Sequence, residues 1–441
     1  MRKAALHNLG CKVNSYETEA MQQMLEEAGY EIVPFREGAD VYVINTCSVT
    51  NIADRKSRQM LHKAKKMNPS AVVVATGCYV QAVGEELQKD AAIDLVIGNN
   101  KKKDLISILE QYVEESRNTP EDYIIDISQT PHYEPLSIRR IEGHTRAFIK
   151  IQDGCNQFCS YCIIPYTRGR ARSRGVAEIL EEVETLVQKG CCEIVLTGIH
   201  LTSYGIDFAE SEKENLLGLI ETLDQIPGLK RIRLGSLEPR VITEDFVRTL
   251  AGISSICPHF HLSLQSGCDA TLARMNRHYT TEDYAARCDL LRRYFANPAI
   301  TTDVIVGFPG ETEEEFAATC DFLEKIHFYE MHVFKYSKRA GTKAAEMKGQ
   351  IPEPVKTIRS ERLLKLTKEM SKEYRKSFLG LSEEVLLEEC VTVDGVSYWA
   401  GYTKEYVKTA IPYADGLGGT LISGVMERML SEEIVCLSQK R

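Results

Sequence analysis

The sequence has no long hydrophobic run. No stretch approaches the roughly 18 consecutive apolar residues that a membrane-spanning helix requires. The first residues, MRKAALHNLGCKVN, hold too short an apolar stretch for a signal peptide and lack a small-residue cleavage site. We therefore expect a cytoplasmic protein with no membrane partner.

An excess of positive charge is also missing. The 63 acidic residues outnumber the 54 Lys and Arg, which gives a formal net charge of −9. This balance argues against non-specific nucleic-acid binding by the whole surface, but it leaves room for a local basic patch. The hydrophobic content of 43% is ordinary for globular protein, and the 441 residues suffice for about three domains.

Cysteine, in contrast, is abundant, with 14 residues. In a reducing compartment they are expected to be metal ligands, catalytic groups or buried small hydrophobes rather than disulfides. Cys155, Cys159 and Cys162 follow a predicted strand at spacings of four and three, with no fourth thiol or His nearby. Structural zinc prefers four ligands. Three thiolates instead suit a cubic iron–sulfur cluster whose fourth iron stays open.

Residues 1–115 alternate strand and helix signals. Short β-branched runs are bounded by Gly, Asn or Asp and separated by helical patterns, which predicts a Rossmann-like parallel sheet covered by helices. Cys11, Cys47 and Cys78 each fall at the carboxyl end of a predicted strand. Because those ends line one crevice in an open parallel sheet, the three cysteines are expected to meet in space.

Two further regions follow a predicted linker. Residues 116–143 are polar and carry three prolines, so we interpret them as the linker. Residues 144–372 hold six strand candidates separated by helical segments, which predicts a partial (β/α)6 barrel with its function at the carboxyl ends of the strands. Residues 373–441 show short strands with Asp-Gly and Gly-Gly turns, typical of a small antiparallel β-barrel. The predicted fold class is therefore α/β with this added barrel.

The segment CNQFCSYC resembles the signature of the radical S-adenosylmethionine superfamily, with Tyr161 at its aromatic position. The resemblance implies that Cys155, Cys159 and Cys162 bind a 4Fe–4S cluster. The open iron of that cluster would chelate S-adenosyl-L-methionine. One electron would then cleave this cofactor to methionine and a 5′-deoxyadenosyl radical.

A narrower resemblance covers nearly the whole chain. The segments LGCKVNSYETE, INTCSVTNIADRKSR and TGCYVQ are similar to the N-terminal domain of the methylthiotransferase family. In that family the cysteines matching Cys11, Cys47 and Cys78 hold a second 4Fe–4S cluster, which carries the sulfur to be transferred. The likeness continues to the C-terminal segment, where the family has its TRAM barrel.

The motif GCKVN favours one branch of that family. Lys12 and Val13 resemble the branch that acts on N6-threonylcarbamoyladenosine in tRNA, whereas the isopentenyladenosine branch tends to read GCQMN and the ribosomal-protein branch GCPKN. The implied activity adds a methylthio group at C2 of that adenosine at position 37, next to the anticodon. An aromatic C2–H has no useful acidity, so radical chemistry suits the task. The implied partners are tRNA, a flavodoxin- or ferredoxin-like electron donor and a sulfur source.

The same resemblance implies cofactor contacts along the barrel strands. The residues expected to bind S-adenosylmethionine are Tyr161, Gly198, Ser236, Glu238, Gln265 and Gly307. Four arginines alternate just past the cluster loop, and we interpret them as contacts to tRNA or to the cofactor, although a solvated loop would give the same pattern. They are Arg168, Arg170, Arg172 and Arg174.

Three other functions stay open on the sequence. The same chemistry on isopentenyladenosine, or on an aspartate of a ribosomal protein, would use the same motifs. An RNA-binding iron–sulfur redox sensor would need clusters fully ligated by protein, and neither triad has an obvious fourth ligand. A zinc protein is the third alternative.

Overall fold

A computed structural model describes residues 2–115, 123–141, 145–209 and 214–439. Within these ranges no helix has both the length and the apolar character needed to cross a membrane. Part of the predicted linker, residues 116–122 and 142–143, lies outside the described residues.

The first unit is a five-stranded parallel sheet in the order β2-β1-β3-β4-β5. Helices cover both faces, α1 and α4 on one side and α2 and α3 on the other, which leaves β3 and β4 wholly buried. Burial on both faces explains their unbroken apolar runs. The bounds are β1 Lys3–Asn8, α1 Lys12–Glu27, β2 Glu31–Ile32, β3 Val41–Thr46, α2 Asn51–Met67, β4 Val72–Gly77, α3 Cys78–Leu87, β5 Leu95–Ile97 and α4 Leu105–Glu114.

The described part of the predicted linker, 123–141, is packed against its neighbours. Leu136 and Ile138 are buried in the central core, and the Leu136 carbonyl accepts a hydrogen bond from Tyr16 Oη at 2.6 Å. Ile138 N donates to Glu182 Oε1 at 2.5 Å. Because its apolar residues are spaced without periodicity, the sequence gives no sign that this segment joins two units.

The central unit contains six parallel strands in two sheets, β10-β9-β6 and β11-β12-β13. Isolated bridges Ile232–Ile256 and Leu237–Leu262 connect β10 with the segment of β11, so the six strands form one curved series. The bounds are β6 Arg146–Lys150, β7 Gln152–Asp153, α5 Ile164–Thr167, β8 Arg172–Ser173, α6 Val176–Gln188, β9 Glu193–Thr197, α7 Leu216–Asp224, β10 Arg231–Leu234, α8 Glu244–Gly252, β11 His259–His261, α9 Asp269–Arg274, α10 Thr281–Tyr294, β12 Ala299–Val306, α11 Glu313–Ile326, β13 Glu330–Lys335, α12 Lys343–Glu346 and α13 Glu353–Ser377.

The C-terminal unit is a five-stranded sheet that closes on itself in the order β14-β15-β16-β18-β17. Every pair is antiparallel except β16 with β18, which is parallel. Arg231 and Arg233 of β10 dock this unit by donating to the carbonyls of Tyr402 and Lys404, each at 2.9 Å. The bounds are β14 Ser382–Val393, β15 Val396–Tyr402, β16 Lys408–Pro412, β17 Leu421–Met429 and β18 Val435–Ser438.

Candidate active site between two cysteine triads

The N-terminal triad lies at one edge of the first sheet. Cys47 and Cys78 follow β3 and β4 directly, and Cys11 lies three residues after the end of β1. A Cβ added to Gly10 would lie 3.1 Å from Cys47 Cβ, and one on Gly77, whose φ is +97°, would lie 2.5 Å from the Thr46 carbonyl oxygen. Glycine at both positions therefore lets the strand ends approach closely. The structure places the three thiols together, as parallel strand ends require.

Polar groups surround these thiols. Cys78 Sγ accepts a hydrogen bond from Arg168 Nε at 3.1 Å, and Cys11 Sγ lies 3.8 Å from Asn14 Oδ1. Burial raises the pKa of the Cys11 thiol, and it raises that of Cys47 to about 11. A metal that binds here must displace those protons.

The second triad lies on the loop from β7 to α5. Cys155 N donates to the Gly169 carbonyl and Cys162 N to the Cys159 carbonyl, both at 3.0 Å. A Cβ on Gly154, whose φ is +71°, would lie 1.9 Å from the Arg170 carbonyl oxygen, so the loop can fold back only with glycine there. Burial raises the pKa of Cys155 to about 11 and that of Cys162 to about 12.

Arg277 is a second cation that contacts a cysteine of a triad. Its Nη1 donates to Cys159 Sγ at 3.3 Å, and its Nε donates to Tyr279 Oη at 2.9 Å. The sequence pattern did not reveal this residue, because it lies 118 positions beyond Cys159. Each triad thus has a guanidinium beside one of its sulfur atoms, buried for Arg168 and partly buried for Arg277, which suits thiolate ligands.

The donor sets fit iron–sulfur clusters. Each consists of three thiols, and in the described chain neither triad has its three sulfur atoms all within 4.8 Å of one another. Around one tetrahedral zinc, sulfur atoms would stand roughly 3.8 Å apart. Ligands of a cubic cluster bind different irons and stand farther apart.

Arg168 connects the two triads. Its Nη1 lies 2.8 Å from Glu17 Oε1 and 3.1 Å from Asp153 Oδ1, and Lys150 Nζ contacts the same two carboxylates at 2.7 Å each. Burial opposes ionisation of Glu17, but Arg168, Lys102 and Lys150 hold its pKa well below the usual value. These buried charges come from both units and neutralise one another. The two units therefore meet at an interface of buried ion pairs.

This network corrects the prediction that all four arginines contact tRNA. Arg168, Arg172 and Arg174 are at most 3% exposed. Arg172 donates to the Arg168 carbonyl at 2.7 Å, and Arg174 pairs with Glu182. All three side chains are buried and contact other groups of the protein. The prediction of contact with tRNA is therefore wrong for these three. Arg170 is exposed, 4.6 Å over the Phe158 ring, and its contact with tRNA stays a prediction.

A cavity of about 540 Å³ lies between the units. The turn after β1 lines one side, the barrel strands line the walls, and the C-terminal unit contributes one aromatic ring. The lining residues that carry polar or aromatic groups are Cys11, Lys12, Thr197, Ser236, His259, His261, Thr301, Asp303, Glu330, His332 and Tyr406.

Tyr406 closes the cavity from the C-terminal unit. Its ring stacks on His259, with centroids 4.6 Å apart and planes 4° apart, and on Tyr402 at 4.5 Å. The Arg233 guanidinium lies 4.8 Å from its centroid. Stacking on two rings and the nearby guanidinium fix the Tyr406 ring as a wall of the cavity.

The cavity also contains a polar cluster. His261 Nε2 lies 3.3 Å from Asp303 Oδ2, its Nδ1 contacts Thr301 Oγ1 at 3.1 Å, and His332 stacks 5.8 Å from the His261 ring. Sequence reasoning missed this cluster. The sequence does hold one sign of the cluster. Side chains of a strand alternate between its two faces, so alternate residues of β11, β12 and β13 share one face of the sheet.

Three residues predicted to contact the cofactor lie at or near this cavity. Gly198 and Ser236 line it. Glu238 is buried and accepts a hydrogen bond from Arg240 Nε at 2.7 Å, and Arg240 Nη2 reaches Gln157 on the cysteine loop at 3.3 Å. Gly198 and Ser236 thus border the cavity, and Glu238 is linked through Arg240 to the loop of the second triad.

The other three are not among the cavity-lining residues. The Tyr161 ring packs edge-on against Phe308 at 6.3 Å. Gly307 has φ +70°, and a Cβ there would lie 2.3 Å from Lys356 Cγ. Gln265 also has a positive φ of +74°, and its N donates to the Asp303 carbonyl at 2.8 Å. Their contact with the cofactor stays a prediction.

Comparison with known proteins identifies the family. The model described as "Uncharacterized protein family UPF0004" matches residues 3–98, and that of the "Radical SAM superfamily" matches residues 149–323. The threonylcarbamoyladenosine tRNA methylthiotransferase MtaB of Bacillus subtilis is 42% identical, over 96% of this chain and 93% of its own. The chain belongs to the radical SAM methylthiotransferases.

Other members of this methylthiotransferase family are also similar. MtaB of Aquifex aeolicus is 41% identical over 85% of this chain and 89% of its own. The tRNA-2-methylthio-N6-dimethylallyladenosine synthase of Moorella thermoacetica is 38% identical over 86% and 85%. The structure of the radical S-adenosylmethionine methyltransferase TsrM from Kitasatospora setae aligns with a TM-score of 0.58 at 19% identity, covering 78% of this chain and 77% of that one. This last likeness concerns the fold alone.

Proposed function

We propose that this methylthiotransferase converts N6-threonylcarbamoyladenosine at position 37 of tRNA to its 2-methylthio derivative. The observation that carries the proposal is the 42% identity, over nearly the whole of both chains, to a protein named for that reaction. The dimethylallyladenosine relative is 38% identical over a smaller share of the chain, so isopentenyladenosine is the next candidate.

Cys155, Cys159 and Cys162 would hold the radical SAM cluster. With S-adenosylmethionine bound, this cluster would supply the 5′-deoxyadenosyl radical that removes hydrogen from C2. The chain's own contribution is positional: Arg277 stays 3.3 Å from Cys159 Sγ, and Glu238 is held by Arg240 beside the loop. We keep the six predicted cofactor residues as the proposed S-adenosylmethionine site.

Cys11, Cys47 and Cys78 would hold a second 4Fe–4S cluster. The three thiols at one sheet edge, the absence of a nearby fourth thiol in the described chain and the Arg168 contact support this proposal. Cys11 also lines the cavity that the barrel strands share. A substrate in that cavity would touch both halves of the enzyme.

The adenine base would occupy the 540 Å³ cavity, a volume within the usual range for small-ligand sites. Tyr406 offers an aromatic ring as a wall, and His261, Asp303 and Thr301 offer hydrogen-bonding groups. Since one base must be presented to buried chemistry, we infer that the nucleotide leaves its stack to enter.

The chain would divide into four parts. We propose a methylthiotransferase N-terminal domain at 1–115, a linker at 116–143, a radical SAM partial barrel at 144–372 and a TRAM domain at 373–441. The separate sheets support these bounds. The enzyme would work in the cytoplasm with tRNA, a flavodoxin- or ferredoxin-like electron donor and a sulfur source.

Nucleoside mass spectrometry of bulk tRNA tests the proposal. A strain lacking this gene should lose 2-methylthio-N6-threonylcarbamoyladenosine and accumulate its precursor, and the intact gene should restore the product. If the isopentenyl derivative disappeared instead, the substrate would be wrong and the chemistry right. If neither nucleoside changed, ribosomal-protein aspartate would be examined next.

The non-enzymatic alternative is tested on the purified protein. A redox sensor would produce no 5′-deoxyadenosine when incubated anaerobically with dithionite and S-adenosylmethionine. The proposed enzyme should produce it.

A further inference from the structure

Lys12 stands in the first turn of α1, next to Cys11, and lines the cavity. The residue is exposed. A lysine in the first helical turn is unfavourable, because the helix dipole places partial positive charge there. The first turn of α1 has no acidic residue to offset this charge.

The charged neighbours of Lys12 are already paired. Arg146 contacts Glu388 at 2.8 Å, and Arg233 contacts Glu193 at 2.9 Å. In the described ranges, the Lys12 ammonium has neither a carboxylate within 4.0 Å nor a hydrogen-bond partner. The cations Arg146 and Arg233 oppose its charge, and only the adjacent Cys11 favours it. Lys12 therefore lacks a carboxylate partner.

The acidic residues of the cavity also have other partners. Asp303 is 3.3 Å from His261, and Glu330 is 2.9 Å from Arg375. Apart from the adjacent Cys11 thiol, the cavity thus presents a positive site at Lys12 without a carboxylate partner. An anionic group on the ligand would complete it, and a hydrocarbon group would leave the ammonium desolvated and unpaired.

We propose that Lys12 binds the carboxylate of the substrate's N6 side chain and thereby sets substrate specificity. The inference rests on the proposed function. A threonylcarbamoyl group carries one carboxylate, whereas an isopentenyl group carries none. Because Lys12 adjoins Cys11, the turn that presents the first thiol would also hold the side chain of the base.

The test uses the reconstituted two-cluster enzyme and synthetic anticodon stem-loops. Three substrates carry N6-threonylcarbamoyladenosine, its methyl ester or isopentenyladenosine. Lys12→Met removes the charge at similar volume, Lys12→Arg retains it, and Lys365→Met on the exposed surface of α13 is the matched control.

With the wild type and Lys365→Met, esterification should lower kcat/KM by about 100-fold, the scale of one charge-assisted hydrogen bond. Lys12→Met should lose about 100-fold on the free acid and nothing further on the ester. Lys12→Arg should retain preference for the acid. Iron content, and 5′-deoxyadenosine formation without RNA, should stay unchanged in Lys365→Met. In the Lys12 variants the ratio of kcat/KM on acid and ester is the readout, because a merely structural role would not change it.

Two results would overturn this inference and leave the proposed function intact. In the first, the Lys12→Met enzyme would prefer the acid over the ester as strongly as the wild type does. In the second, the substitution would slow the reaction of both substrates equally. In either case the wild type would still methylthiolate the threonylcarbamoyl stem-loop. A wild type inactive on that stem-loop but active on the isopentenyl one would overturn the proposed function, and this inference with it.

Discussion

Arg168 Nε donates a hydrogen bond to Cys78 Sγ at 3.1 Å, while Nη2 of the same guanidinium donates to Asn14 Oδ1 at 2.8 Å. Arg168 itself lies six residues past Cys162, on the loop of the other triad. One buried side chain therefore joins the two cysteine sites. Its loss would leave Glu17 and Asp153 short of positive charge in a buried interface.

Arg168→Met should destabilise the protein by about 3–5 kcal/mol, because breaking a buried ion network leaves uncompensated charge. Arg170→Met, two residues away and exposed, should cost less than about 1 kcal/mol. Urea unfolding of both metal-free variants, followed by near-ultraviolet circular dichroism, measures the difference. Equal midpoints would show that the network adds no stability.

The two triads should divide the reaction. Cys11→Ala, Cys47→Ala or Cys78→Ala should abolish the methylthio product yet spare 5′-deoxyadenosine formation without RNA. Cys159→Ala should abolish both, because it removes a ligand of the radical cluster. Iron analysis and product chromatography provide the measurements.

Cys390→Ala, at an exposed cysteine in the C-terminal unit, is the control and should change neither product. Loss of 5′-deoxyadenosine in the N-terminal variants would contradict the division.

Arg339, which follows β13 of the barrel, forms hydrogen bonds with the segment that follows Cys47. Its Nη2 donates to Ser48 Oγ at 2.6 Å and its Nη1 to Asp54 Oδ2 at 2.5 Å. Arg339→Ala should lower methylthiolation more than tenfold, because the first triad loses its alignment with the cavity. Formation of 5′-deoxyadenosine without RNA should stay at the wild-type rate.

The exposed neighbour Lys338 supplies the matched variant, Lys338→Ala, which should behave as wild type. If Arg339→Ala slowed both reactions to the same extent, Arg339 would serve the fold of the barrel rather than the docking of the triad.

Glu383 gives the C-terminal unit a pH dependence. Burial, and then the neighbouring Glu405 carboxylate, raise the pKa of Glu383 from 4.5 to about 7. A raised carboxyl pKa means that the folded state binds more protons, so stability is greatest below pH 4.5 and falls as pH rises to about 7. This contribution should be on the order of 1 kcal/mol, since the group is partly exposed.

Glu383→Gln should remove that slope, and Glu427→Gln, at an exposed position of β17, should keep it. Thermal unfolding between pH 4.5 and 8 is the measurement. A slope that persists in Glu383→Gln would assign it to another group.

The cysteine sites follow from local sequence, whereas the arginine contacts do not. Cys11, Cys47 and Cys78 were predicted to meet because parallel strand ends share an edge, a rule that needs only strand positions. Arg168 resembles a residue of a surface loop because its partner Glu17 lies 151 positions away in the chain. Local pattern cannot show that a distant carboxylate will pair with a buried cation.

Long-range docking also explains the rest of what was missed. The position of Tyr406 in the cavity depends on how the C-terminal unit sits on Arg231 and Arg233. The His261 cluster needs three neighbouring strands in register, with Asp303 opposite His332. No short motif specifies either arrangement.

Tyr406 belongs to a different unit from both triads, yet its ring is a wall of the cavity. Any displacement of the C-terminal unit therefore changes the shape of the space in which the base would react. An RNA that contacts that unit far from the modified nucleotide would act on the same wall. Binding of the RNA body and selection of the modified base would then depend on each other, because the position of the Tyr406 ring affects both.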